Sequence, residues 1–90
     1  MYIIKRGTKF KKDYKKYINN DSDKQQLKNV LEILISWNQL PEQFKDHFLK
    51  WRYLWYKECH IKPDLLLIYK LNNNELELLL FRLWSHSELF

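Results

Sequence analysis

The sequence predicts an α+β fold in which an N-terminal helical hairpin packs on a small antiparallel β-sheet, with a candidate edge strand ahead of the hairpin. Three observations carry this expectation. Apolar residues recur at helical spacing on both sides of a polar break at Asn19 to Asp21. Leu40-Pro41 then closes the helical part, and aromatic and β-branched runs fill the chain from Trp51 onward.

Taken in order, Tyr2 to Lys5 is a short β-branched and aromatic run that predicts a leading strand. After Gly7, the residues Phe10, Tyr14, Tyr17 and Ile18 make one helical stripe with lysines around it, and Thr8 is placed to cap that helix. Ser22 and Gln25 have the spacing of a capping box, ahead of Leu27, Val30, Leu31 and Leu34 on one face, so a second helix should run to about Ser36. The stretch PEQFKDHFLK reads as a surface connector with one helical turn. WRYLWYKECHI, DLLLIYKL and ELELLLFRL read as three strands. The asparagines in Leu71-Asn72-Asn73-Asn74-Glu75 tolerate the positive φ of a tight hairpin, so the last two strands should pair antiparallel. Leu65 to Tyr69 lacks alternation, as expected of a central strand buried on both faces.

Ninety residues, 46% of them hydrophobic, suffice for one modest core, so residues 1–90 are expected to form a single domain. No apolar run approaches the roughly 20 residues that span a bilayer, and Met1 to Thr8 does not have the build of a signal peptide. A single cysteine, Cys59, can make no internal disulfide, which fits a reducing cytoplasm. The net charge is +5, and KRGTKFKKDYKK alone carries seven basic residues. Such a patch attracts polyanions such as RNA, although a solvated helix face would look the same.

The three histidines each sit among polar or ionisable neighbours: Asp46-His47, His60 in ECHIKPD and His86 in SHSELF. Singly, each reads as a surface or structural histidine. In a three-strand meander, however, His60, Asp64, Arg82 and His86 should gather at one end of the sheet. If no bulge intervenes, Leu76, Leu78, Leu80 and Arg82 share a strand face, placing Arg82 at the end of an apolar row as a phosphate clamp or a solvated terminus. Imidazoles that titrate near pH ~6.5, a carboxylate and a guanidinium suit RNA cleavage through its own 2′-hydroxyl, which needs a base, an acid and positive charge for the phosphorane. Zinc ligation is the weaker alternative, because His-x-x-x-His and paired-cysteine spacings are missing and Cys59 points away from His60 on a strand.

LPEQFKDHFL, ECHIKPDLLLIYK and R-x-x-SHSELF together resemble the YafQ-like branch of the RelE/ParE toxin superfamily, over nearly the whole chain and in family order. The resemblance implies a type II toxin-antitoxin toxin that cuts mRNA in the ribosomal A site without metal or other cofactor, held by a cognate antitoxin. It reaches operator DNA only through that complex. By motif, His47 falls in D-H-x-L, His60 and Asp64 in H-x-x-P-D, and His86 and Phe90 in the terminal S-H-x-x-L-F, with Arg82 ahead of the last. These imply His86 as general acid, Asp64 or His60 as base or its orienter, and Arg82 with His47 on phosphate. Phe90 would stack a splayed base, its plain alternative being a residue docked on the core. The basic first helix, with Lys9, Lys11, Lys12, Lys15 and Lys16, would grip ribosomal RNA.

The chain departs from the family pattern at Trp37, Trp51, Trp55 and Trp84, which fall on glycine-like positions. There is one glycine in 90 residues, where average usage of about 7% gives roughly six. UGA codons translated on paper as Trp but read as Gly in the cell would explain all four changes; true tryptophans would leave Trp84 to obstruct the site. The competing reading is a non-catalytic module of the same fold, either a gyrase inhibitor or a degenerate toxin acting only in an antitoxin complex.

Overall fold

A computed structural model describes residues 1–85. The chain order is β1 (Ile3–Arg6), α1 (Thr8–Tyr17), α2 (Asp21–Ile35), β2 (His47–Phe48), β3 (Lys57–Lys62), β4 (Leu65–Asn72) and β5 (Glu77–Ser85). Single 3-10 turns lie at Glu42–Phe44 and Trp51–Tyr53. The expected α+β arrangement of two helices on one sheet is what the chain adopts, and the leading strand is present.

Both helices form where their stripes place them. Phe10 and Ile18 from the α1 region, with Leu27, Val30 and Leu34 of α2, are buried against Cys59, Ile61, Leu65, Leu67, Tyr69, Leu78, Leu80 and Leu83 of the sheet. The caps differ in detail from the expectation. Gly7, not Thr8, is the N-cap of α1, and Thr8 is its first helical residue. At α2 the cap lies two residues upstream of Ser22: Asn20 Oδ1 accepts the Asp23 amide at 2.8 Å, and Asn20 Nδ2 reaches back to Asp23 at 3.4 Å. Asn20 thus caps the Asp23 amide in place of the box expected at Ser22 and Gln25, and Asp21 and Asp23 add favourable charge at the positive end of the helix.

The five strands form one sheet in the order β1-β5-β4-β3-β2. β2 through β5 pair antiparallel, whereas β1 runs parallel to β5, which makes the sheet mixed. β4 is central and Leu65 through Tyr69 are all buried, as their unbroken apolar run predicts. Gly7 sits where the end of β1 closes on β5: its amide donates to the Leu80 carbonyl at 2.9 Å, and an added Cβ would stand 3.1 Å from that oxygen.

Three expectations about the strands are corrected. Residues 51–56 are not strand, because Trp51 and Trp55 turn the backbone at φ 62° and 76°, and the strand begins only at Lys57. The connector contains the two-residue strand β2, too short to leave a periodic signal. In the β4–β5 hairpin the positive φ belongs to Leu76 at 54°, while Asn72 Oδ1 shapes the turn by accepting the amides of Asn74 and Glu75.

Candidate functional site

Strand register builds the site. His47 of β2 pairs with Glu58 of β3, Glu58 with Ile68 of β4, and Ile68 with Arg82 of β5, which makes one row across four strands. The adjacent row runs from His60 through Leu66 to Trp84. Cys59, Ile61, Leu65, Leu67 and Leu83 turn toward the helices, so by strand alternation both rows belong to the opposite face. His47, Glu58, His60, Arg82 and Trp84 therefore share the face that the helices leave uncovered.

Arg82 reaches this face by a route that simple parity misses. The register slips between Ile68 and Tyr69, whose partners are Arg82 and Leu80, so Phe81 is an extra residue in β5. Leu78 and Leu80 face the core before the bulge and Leu83 faces it afterwards. Arg82 consequently does not continue the Leu78 and Leu80 row. Its guanidinium closes on Asp13 of α1, with Nε at 2.7 Å and Nη2 at 3.2 Å, and the Leu83 amide donates to the same carboxylate at 3.1 Å. The hydrogen bonds to Asp13 hold the guanidinium above its ordinary range, so Arg82 is always charged here. β1 has ended by this point, and the side chain of Asp13 takes its place along the edge of β5.

His47 is held from two sides. Nδ1 lies 2.6 Å from the Lys45 carbonyl, which only accepts, so Nδ1 carries a hydrogen, and Nε2 lies 3.5 Å from Glu58 Oε1, an ion pair when the ring is protonated. Its neighbour Asp46 is the anchor of this segment. It accepts from the buried Tyr69 hydroxyl and pairs with Lys57 Nζ at 2.6 Å, which fastens β2 to β3 and β4. Asp64 lies in the turn between β3 and β4 with its carboxylate largely exposed, 3.9 Å from Lys62 Nζ. Lys62 is drawn more closely to the buried Asp23, at 3.1 Å. His86 and Phe90 lie outside the described residues.

Aromatic rings border the two rows. Trp51–Tyr53 and the following turn carry Tyr53 and Tyr56 against Phe81, at 6.1 and 4.8 Å between ring centroids. Tyr53 also meets Trp84 edge-on at 6.1 Å, and the Arg82 guanidinium lies 5.4 Å from the Trp84 ring. On the helical side, Lys9, Lys11, Lys12, Lys15 and Lys16 are all exposed. Lys11 and Lys15 line an apolar-floored groove of about 860 Å³ with Arg6, Lys24, Lys28 and Glu32.

Cys59 and Tyr69 are inert by burial. Desolvation pushes the Cys59 thiol far up, with Asp46 and Glu58 adding to it, and desolvation together with the hydrogen bond to Asp46 does the same to the Tyr69 phenol. Among the described residues, no group of three or more His, Cys, Asp or Glu side chains is arranged to hold a metal ion.

Two members of the site, Glu58 and Asp13, were not among those expected from the sequence. Glu58 had a local signal, since Glu58 and His60 share strand parity. Asp13 had none, because its link to Arg82 spans 69 positions of sequence.

Residues 2–90 match the model of the family described as the bacterial toxin of type II toxin-antitoxin system, YafQ. The mRNA interferase toxin YafQ of Escherichia coli (strain B / BL21-DE3) is 36% identical over 89 residues, covering 97% of this chain and 94% of that protein. The crystal structure of a metal-bound toxin from Helicobacter pylori superposes with a TM-score of 0.88 at 43% identity over 100% of both chains. A chain of the E. coli DinJ-YafQ toxin-antitoxin complex gives a TM-score of 0.78 at 30% identity, covering 99% of this chain and 97% of that one. With the family pattern matched from the first strand to the last residue, this chain belongs to the YafQ family of bacterial type II toxin-antitoxin toxins.

Proposed function

We propose that this toxin is a ribosome-dependent mRNA endoribonuclease, a single cytoplasmic domain over residues 1–90 that cleaves through the 2′-hydroxyl by acid-base chemistry and is silenced by a cognate antitoxin. The observation that carries the reading is the one sheet face turned away from the helices, which bears His47, Glu58, His60 and Arg82, the last on the strand that leads directly into His86. Imidazoles and a carboxylate supply both proton transfers, each worth typically 10²- to 10⁴-fold. In this scheme His86 protonates the leaving 5′-oxygen, and Asp64 or His60 takes the 2′-proton or orients the group that does. Phe90 stacks a splayed base.

His47 and Arg82 stand three strand spacings apart, about 14 Å, and so grip different phosphates of an RNA strand laid across the sheet. Glu58 joins the set by facing His47 Nε2, with which it pairs when the ring is protonated. The exposed lysines of α1, at positions 9, 11, 12, 15 and 16, bind ribosomal RNA, and operator DNA is reached only through the antitoxin complex.

A non-catalytic module, whether gyrase inhibitor or degenerate toxin, is the second reading. What favours it is the engagement of Arg82 by Asp13 and the presence of the Trp84 ring on the His60 row. Expression in a bacterial host, with mapping of mRNA 5′-ends, tests the two readings. Growth arrest with in-frame cuts that disappear in His86→Ala is expected. Full cleavage by His86→Ala would remove His86 from the mechanism, and gyrase poisoning or no effect would favour the second reading.

A further inference from the structure

We propose that positions 37, 51, 55 and 84 are glycine in the protein as its own cell makes it, the four codons being UGA read as glycine. Tryptophan supplies four of ninety residues, yet it occupies three of the five positive-φ positions among the described residues: Trp37 at 64°, Trp51 at 62° and Trp55 at 76°. The only glycine, Gly7, is used for space at φ −69° and not for left-handed backbone.

Each of the three lies at the glycine position of a distinct turn. α2 ends with the Trp37 amide donating to the Leu34 carbonyl at 3.2 Å and the Asn38 amide donating to Ile33 at 3.3 Å. Those two bonds define a Schellman motif, with Trp37 at the left-handed residue just past the cap Ser36. The turn closed by the Tyr53 amide on the Lys50 carbonyl has its one positive φ at Trp51, the first central residue, a left-handed conformation that favours glycine. In the next turn the Tyr56 amide donates to Tyr53 at 2.9 Å, Leu54 lies at φ −51° and ψ 136°, and Trp55 follows at 76°. This is a type II turn, whose second central residue is ordinarily glycine.

The rings bring little that would justify the strained backbone. Trp51 is 90% exposed, Trp55 65% and Trp37 60%, and among the described residues Trp37 alone of the three touches another ring, that of Tyr2, edge-on. Trp84 differs, since it lies in regular strand, and it joins the proposal as the fourth tryptophan on a glycine-like position of the sequence, its codon inferred to be UGA like the others. Glycine there would clear the ring from the row that holds His60, opening the face to a polynucleotide backbone.

The coding DNA and peptide mass spectrometry of the protein from its own cells test this directly. UGA at all four codons, with glycine in the corresponding peptides, is expected; a UGG codon or a tryptophan-containing peptide at 37, 51, 55 or 84 would overturn it. Recombinant chains give an independent check. The W37G/W51G/W55G variant is expected to unfold at higher denaturant than the chain with tryptophans, and an unchanged or lower midpoint would contradict the strain inferred at the three turns. Adding W84G is expected to raise mRNA cleavage; that last arm alone rests on the nuclease reading, and the sequencing result stands whether or not the protein cuts RNA.

Discussion

Asp13 accepts from two nitrogens of Arg82 and from the Leu83 amide, and it is nearly buried while doing so. Replacing it with alanine would leave a strand-edge amide and a guanidinium without their acceptor. Asp13→Ala is therefore expected to destabilise the fold by about 1–3 kcal/mol, read as a shift in the urea midpoint at unchanged slope. The Asp46 anchor makes a comparable case. Tyr69→Phe removes a buried donor but leaves Lys57 on Asp46, so a smaller loss of about 1 kcal/mol is expected, again from denaturant unfolding. Cys59 gives a third check at this scale. Fully buried, with its thiol pushed far up, it should resist alkylation at neutral pH in the native protein and react once denaturant opens the core; rapid modification of the folded chain would contradict the burial. Of these residues only Cys59 was legible beforehand, because its strand neighbours set its face, whereas the partners of Asp13 and Tyr69 are distant in sequence.

At the level of elements, periodicity revealed both helices and the paired strands β4 and β5, since an amphipathic stripe and a buried run are local properties. Ends and turns were less legible. The α2 cap is a competition among Asn20, Asp21 and Ser22, and the asparagine wins because its side chain reaches the Asp23 amide. Asn20→Ala should cost about 1 kcal/mol, measurable by thermal or chemical unfolding, while Ser22→Ala should change little. β2 has only two residues and owes its place to Asp46 beside it, which no short pattern announces. In α1 the lysines are exposed and make a diffuse charge surface. If the proposed grip on ribosomal RNA is right, changing them to glutamine will weaken that binding and flatten its dependence on salt, by about 0.7–0.9 in logarithmic slope for each phosphate no longer neutralised, without altering the proposed chemical step.

Across the whole molecule, the helices and the face bearing His47, Glu58, His60 and Arg82 lie on opposite sides of one sheet, so the core and the candidate site are separated by the thickness of a strand. The class of fold was legible because that separation follows from which residues are apolar. The parallel pairing of β1 with β5 was not, since it joins the first residues of the chain to nearly the last, and four exposed residues of β1 give no hint of their partner. Nor could the gathering of His47 with Glu58 and Arg82 into one row be read off, because it depends on the register of three strand pairs at once.

The supernumerary Phe81 makes β5 tolerant of losing one residue there and intolerant of gaining another. Leu80 and Arg82 already stand opposite consecutive residues of β4, so excising Phe81 would straighten the ribbon and leave Leu83 inward and Arg82 outward. What such a chain forfeits is the ring that Tyr53 and Tyr56 lean on, and with it the backing of the aromatic border. Lengthening the strand by one more residue ahead of Arg82 is the opposite case: with no second kink to absorb it, Leu83 would swing to water and the guanidinium would be driven into the interior.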